Sequence, residues 1–124
     1  MTAQFLLDTN ILSETRRKLP NHGVLRFLAD ADPSLLRLSV LTIGELQKGI
    51  ALKRASDAEM AQRLAAWLEG LEATFAGQIL GIDRAVASRW GEWSAQRPRP
   101  VVDTLLAATA HVHQLTLVTR NTVD

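Results

Sequence analysis

No cysteine occurs in the 124 residues, which excludes a disulfide scaffold and any thiolate metal site and fits a cytoplasmic protein. No apolar run approaches the roughly 18–20 residues needed to span a bilayer. The opening MTAQFLLDTN lacks the basic segment and long apolar stretch of a signal peptide. G-x-x-x-x-G-K-[ST] and G-x-G-x-x-G are also missing, which excludes the common glycine-rich phosphate cradles. Repeats, linkers and low-complexity tracts are absent. No charge dominates: 14 Lys and Arg stand against 13 Asp and Glu, a formal net of +1. What remains is a chain that is 47% hydrophobic, enough for one core and too short for two domains.

The apolar residues alternate between two periodicities. Residues 4–7 read as a strand ending at Asp8, with Thr9 and Asn10 able to cap a helix over about 11–17. Pro20-Asn21-His22-Gly23 reads as a loop, 24–31 as a helix and 35–40 as a second strand. Thr42 would cap a helix over about 43–53. Within 57–75, Met60, Leu64, Trp67, Leu68 and Leu71 recur at steps of three and four, the stripe of a long amphipathic helix. GQILGID reads as a third strand, 85–96 as a helix with Trp90 and Trp93 on one face, and RPRP as an extended loop. An alanine-rich helix over about 101–113 and a strand at 115–119 follow. Strands alternating with helices predict an α/β fold, a parallel sheet covered on both faces.

In such sheets ligands gather beyond the carboxyl ends of the strands. Asp8 ends the first strand there. Glu45 and Asp103 are expected in the first turns of helices that begin at that edge, and Asp124 follows the last strand by a few residues. Carboxylates brought to one edge repel one another unless a cation or proton neutralises them. Mg²⁺ and Mn²⁺ take oxygen ligands, keep several waters and need one or two carboxylates each, so four acids could hold one or two ions. With a pair of ions, one could activate water while the other stabilises the leaving oxygen of a phosphodiester. Setting those four acids aside as compensated leaves a charge of +5, which favours a polyanionic substrate. Taken singly, each acid also fits a plainer role: a helix cap, a helix amino terminus or a solvated tail.

LLDTNILSE, the helix segment LTIGELQKGI carrying Glu45, and VVDTLLAATAHVHQLTLVTRNTVD together resemble PIN-domain nucleases. In order and at these spacings they are closest to VapC/FitB-like toxins of bacterial toxin–antitoxin pairs. The resemblance spans essentially the whole chain. It implies one PIN domain over 1–124, a three-layer α/β/α fold around a central, mainly parallel sheet of four to five strands. It implies a Mg²⁺- or Mn²⁺-dependent ribonuclease in which Asp8, Glu45, Asp103 and Asp124 form the acidic quartet, Asp8 and Asp103 being the main ligands. Asn10, Thr119 and Asn121 match the polar residues that orient those carboxylates. A cognate antitoxin that covers the cleft, operator DNA contacted through the antitoxin, and homodimerisation are implied as well. Family members generally continue past the last acid with an aromatic residue and another short strand, which this sequence would lack.

Other features carry weaker readings. Arg16, Arg17 and Lys18 near Asp8, and Arg97 and Arg99 before Asp103, could contact RNA phosphates, although charge runs are usually solvated faces. Lys48 could pair with Glu45 one turn away. His111 and His113, two apart on a helix, point to opposite sides and cannot share an ion. Trp67, Trp90 and Trp93 could stack on bases, but their spacing favours core or a dimer face. Asp8-Thr9-Asn10 faintly matches the opening of haloacid dehalogenase-type phosphatases, which need a second Asp where Asn10 stands. A catalytically silent module that binds an antitoxin and acts in operator-DNA autoregulation is the alternative from a different class.

Overall fold

A computed structural model describes residues 2–120. Its strands are β1 (Phe5–Leu7), β2 (Leu36–Ser39), β3 (Ile79–Leu80) and β4 (Thr116–Val118). The helices are α1 (Thr9–Glu14), α2 (His22–Asp30), α3 (Val40–Ser56), α4 (Ala58–Thr74), α5 (Arg84–Gln96) and α6 (Val101–Val112). The strands form a four-stranded sheet of order β3-β2-β1-β4, and every pairing is parallel. Phe5 sits opposite Leu36 on one side and Thr116 on the other, and Leu7 opposite Val118.

Alternation along β1 divides the core. Leu7 packs with Ile11, Leu12, Val24, Leu36, Leu38, Phe75 and Val118 on the face covered by α1 to α4. Leu6 points the other way, against Leu106 and Ala110 of α6. A strand buried on both faces must be apolar at every position, which is why FLL shows no polar alternation. A third cluster, Ile50, Ala61 and Leu68, ties α3 to α4. Asp57 ends α3 and caps α4, its carboxylate accepting from the Met60 amide at 3.0 Å. Beyond α6, Gln114 adopts a left-handed φ of 57°, and the Leu115 amide reaches back to the Ala110 carbonyl at 2.8 Å. This helix stop turns the chain directly into β4.

Three helix boundaries differ from the sequence expectation. The helix expected to reach residue 17 stops at Glu14, where the Thr15 hydroxyl donates to the Leu12 carbonyl at 2.7 Å and the chain closes into turns. The segment Pro20 to Gly23 is not wholly loop: the Asn21 side chain accepts from the Val24 amide at 2.9 Å and starts α2 at His22. The helix after β2 is capped by Ser39, whose hydroxyl accepts from Leu41, and not by Thr42. Thr42 is fully buried.

Leu6 and Leu7 are both wholly inaccessible, so truncating either leaves a cavity between the sheet and a helix layer. Leu6→Ala is expected to lower unfolding free energy by roughly 2–5 kcal/mol, read from urea unfolding; a loss below about 1 kcal/mol would contradict this packing.

Candidate active site

From β1 the chain steps outward to β2 and β3, then returns to the other flank of β1 for β4. The winding direction therefore reverses between β1 and β4, and their carboxyl ends leave a crevice there. A cavity of about 290 Å³ occupies that position, lined by Asp8, Asn10, Asp103, Leu106, Leu117, Thr119 and Arg120. Asp8 enters from β1, its amide bonded to the Val118 carbonyl at 3.0 Å. Asp103 enters from the first turn of α6. That helix leads into β4 and so runs against the strands, which brings its amino end to the carboxyl edge of the sheet.

Asp8 is half-buried and occupies the cap position of α1, yet its side chain closes no capping hydrogen bond. Burial pushes its pKa up, and the charges of Asp103 and Glu45 push it further, against the favourable field of the Thr9 and Asn10 amides. Folding therefore leaves the ionised Asp8 carboxylate less favoured than a free one.

Glu45 lies in the second turn of α3 and not the first, because Ser39 starts the helix earlier than expected. It is exposed. The Thr9 hydroxyl donates to Glu45 Oε1 at 2.6 Å and stands 3.1 Å from Thr42 Oγ1. One hydroxyl carries one proton, so with that proton directed at the carboxylate, Thr42 donates to Thr9. This relay joins α1 to α3 at Glu45. Among the described residues no ion pair joins Lys48 to Glu45.

Asp8 and Asp103 thus share one crevice, whereas Glu45, within electrostatic reach of Asp8, lines a separate depression with Thr9 and Trp67. Asn10 and Thr119 line the crevice. Asn121 and Asp124 lie outside the described residues. Among the described residues no group of three or more acids or histidines converges tightly enough to cage an ion unaided. Two carboxylates with carbonyl, amide and water oxygens nevertheless suit a hard divalent cation, which takes few protein ligands.

Of the basic residues, Arg16 lies 5.7 Å from the centre of the Trp67 ring and Arg17 pairs with Glu14 at 3.3 Å, so both face intramolecular partners. Lys18 and Arg97 are exposed. Arg99 donates to the Trp93 carbonyl at 3.0 Å. His111 packs edge-on against Trp93, while His113 Nε2 stands 3.5 Å from Asp83; the two histidines serve different partners, as their spacing implies.

Three residues gain a role at the site that their place in the sequence does not announce. Thr9, locally a helix-capping type, is the partner of Glu45. Arg120, within the TRN segment, lines the crevice. Glu14 is buried at 3% exposure, accepting from the Asn21 amide at 2.7 Å with Arg17 at 3.3 Å and Arg120 at 3.7 Å. The Asn21 amide chiefly lowers its pKa, opposed by burial and helped by Arg17 and Arg120. The one legible signal for Glu14 is an acid three residues after Ile11, on the apolar face of α1.

The PIN domain family matches residues 5–123. The chain is 33% identical to Toxin FitB of Neisseria gonorrhoeae over 94% of this chain and 87% of that protein. It is 30% identical to the VapC ribonuclease Y4jK of Sinorhizobium fredii over 94% and 86%. The solved structure of FitAB bound to the IR36 DNA fragment superposes with a TM-score of 0.85 at 31% identity, covering 96% of this chain and 86% of that one.

A carboxyl group whose pKa is raised by folding opposes the folded state once it ionises. The cost is full above the folded pKa and vanishes below the unfolded one. Without divalent cation, Asp8→Asn is therefore expected to melt above the parent at neutral pH, the gap closing as pH falls. Thermal melts from acid to neutral pH test this; a neutral-pH Tm below the parent would contradict it.

Proposed function

The chain belongs to the PIN domain family, and on that premise we propose that it is the toxin of a toxin–antitoxin pair, acting as a metal-dependent endoribonuclease built on a single PIN domain. The observation that carries this reading is the pairing of Asp8 and Asp103 in one crevice at the switch point between β1 and β4. Toxin and ribonuclease activities in its relatives support it.

Asp8 and Asp103 would hold Mg²⁺ or Mn²⁺, joined directly or through water by Glu45 and Asp124. When bound, the cation supplies Lewis acidity toward water and toward the phosphodiester oxygens. The protein contributes the rest. Thr9, backed by Thr42, holds one oxygen of Glu45 and leaves the other able to accept a hydrogen bond. Asn10, Thr119 and Asn121 offer polar groups that orient the carboxylates. Arg120, held near Glu14, brings a guanidinium to a cleft that otherwise repels a phosphate. Leu106 and Leu117 form apolar wall, which lowers the local dielectric and strengthens each of these interactions.

An antitoxin that covers this crevice would silence the enzyme, and operator DNA would be contacted through the antitoxin, as the FitAB–DNA complex suggests by analogy. A homodimer is the expected assembly of the toxin, and the cytoplasm, where RNA is met, its expected place of action. Among the described residues no helix is long and apolar enough to cross a membrane.

Expression of the wild type in a bacterial host should arrest growth and yield discrete RNA fragments. Asp8→Asn and Asp103→Asn should each lower cleavage by purified protein at least about 100-fold, and Thr9→Val by about 10–100-fold as the loss of an orienting partner. Chelation of divalent ions should match the Asp8→Asn loss. Equal growth arrest from wild type and Asp8→Asn, with RNA intact, would mean that binding and not cleavage is the toxic act.

A further inference from the structure

Beside the acidic crevice lies a second, open groove of about 560 Å³, lined in part by Trp93, Arg97, Pro98, Arg99, Pro100 and Asp103. Asp103 is common to both cavities. A strand whose scissile phosphate sits at Asp103 can therefore run one neighbouring nucleotide along this groove and the other along the crevice.

The groove has the two chemistries that single-stranded nucleic acid needs: an aromatic platform for a base and a cation for the backbone. Trp93 is half-buried, steadied from one side by His111 at 5.4 Å between ring centres. Arg97 is exposed, and no hydrogen bond or ion pair among the described residues engages it. Arg99 behaves differently. Its Nε donates to the Trp93 carbonyl at 3.0 Å and its Nη2 to Gln96 Oε1 at 3.4 Å, which pins the loop to α5. Pro98 and Pro100 restrict that loop further by fixing φ. One arginine thus builds the wall while the other is left free to meet a phosphate, its side-chain ordering on binding being a cost that the rigid loop does not remove.

We infer that this groove is a subsite for the nucleotide adjoining the scissile phosphate of single-stranded RNA, with the base stacked on Trp93 and its phosphate met by Arg97. The inference rests on the ribonuclease reading and adds to it a base-binding position, one that takes a base that has left its helix, since stacking on an indole requires it. Trp93 and Arg97 are binding residues in this scheme, and Arg99 a positioning residue.

The test uses a fluorescein-labelled, mixed-sequence single-stranded RNA. Its affinity for the Asp8→Asn protein is followed by anisotropy at several salt concentrations, and its cleavage by the protein with Asp8 intact is followed in parallel. Arg97→Gln should flatten the slope of log affinity against log salt by about 0.7, and Arg97→Lys should restore it. Trp93→Leu should weaken binding about five- to hundredfold, while Trp93→Phe retains most of it. In the cleaving protein both losses should appear in KM more than in kcat. Should Trp93→Leu fail to fold, the variants at exposed Arg97 decide the matter alone.

Unchanged affinity and salt slope in Arg97→Gln and Trp93→Leu, with RNA still cut by the parent, would overturn the subsite and leave the ribonuclease reading intact. Loss of self-association in sedimentation with unchanged RNA affinity would overturn it too, making the face a contact between copies. Binding that depends on Trp93 and Arg97 without cleavage by the metal-loaded parent would leave an RNA-binding groove but overturn the nuclease, and with it a subsite beside a scissile phosphate. A parent that neither binds nor cuts the RNA would end both.

Discussion

A parallel strand hydrogen-bonded along both edges and packed on both faces has no freedom of direction or register, and β1 is such a strand. Its three residues pair with β2 and β4, Leu7 entering one core cluster and Leu6 the other. The next residue is Asp8, whose amide is tied to β4 through the Val118 carbonyl. Sliding β1 by one residue would turn its apolar side chains to the wrong faces and withdraw Asp8 from the edge. The placement of the first acid is therefore a consequence of core packing, and the other elements are arranged around it.

Asp8 works against that stability. Asp8 gives up the capping bond that Asp57 and Asp83 both make at their helices, and it is pressed by burial and by two neighbouring charges. Glu14 is the counterexample within the same helix. It is also buried, but an amide and two guanidinium groups meet it and hold its pKa below the ordinary range. Two carboxylates less than two helical turns apart are thus treated oppositely by the fold: the ionised form is favoured at Glu14 and disfavoured at Asp8.

Much of this is legible in the sequence, for identifiable reasons. The strands and the long helices announce themselves through apolar runs and three-four periodicity, and the carboxyl-edge rule then gathers Asp8 and Asp103 without coordinates. The less legible parts depend on contacts between distant segments. Ser39 and Thr42 are equally good caps locally, and burial of Thr42 against Thr9 decides between them. That choice moves Glu45 by almost a turn. Thr9 cannot be recognised locally as an orienting partner, since its acceptor lies 36 residues away. The split between Arg97 and Arg99 is likewise hidden, because a hydrogen bond to a main-chain carbonyl leaves no mark on a basic run.

A divalent cation site in the β1–β4 crevice should be visible in titration calorimetry of Mn²⁺ into metal-free protein. Saturable binding of one or two ions, and its loss in an Asp8→Asn, Asp103→Asn double variant that still folds, is the predicted result. No saturable binding, or the same binding in the double variant, would contradict it.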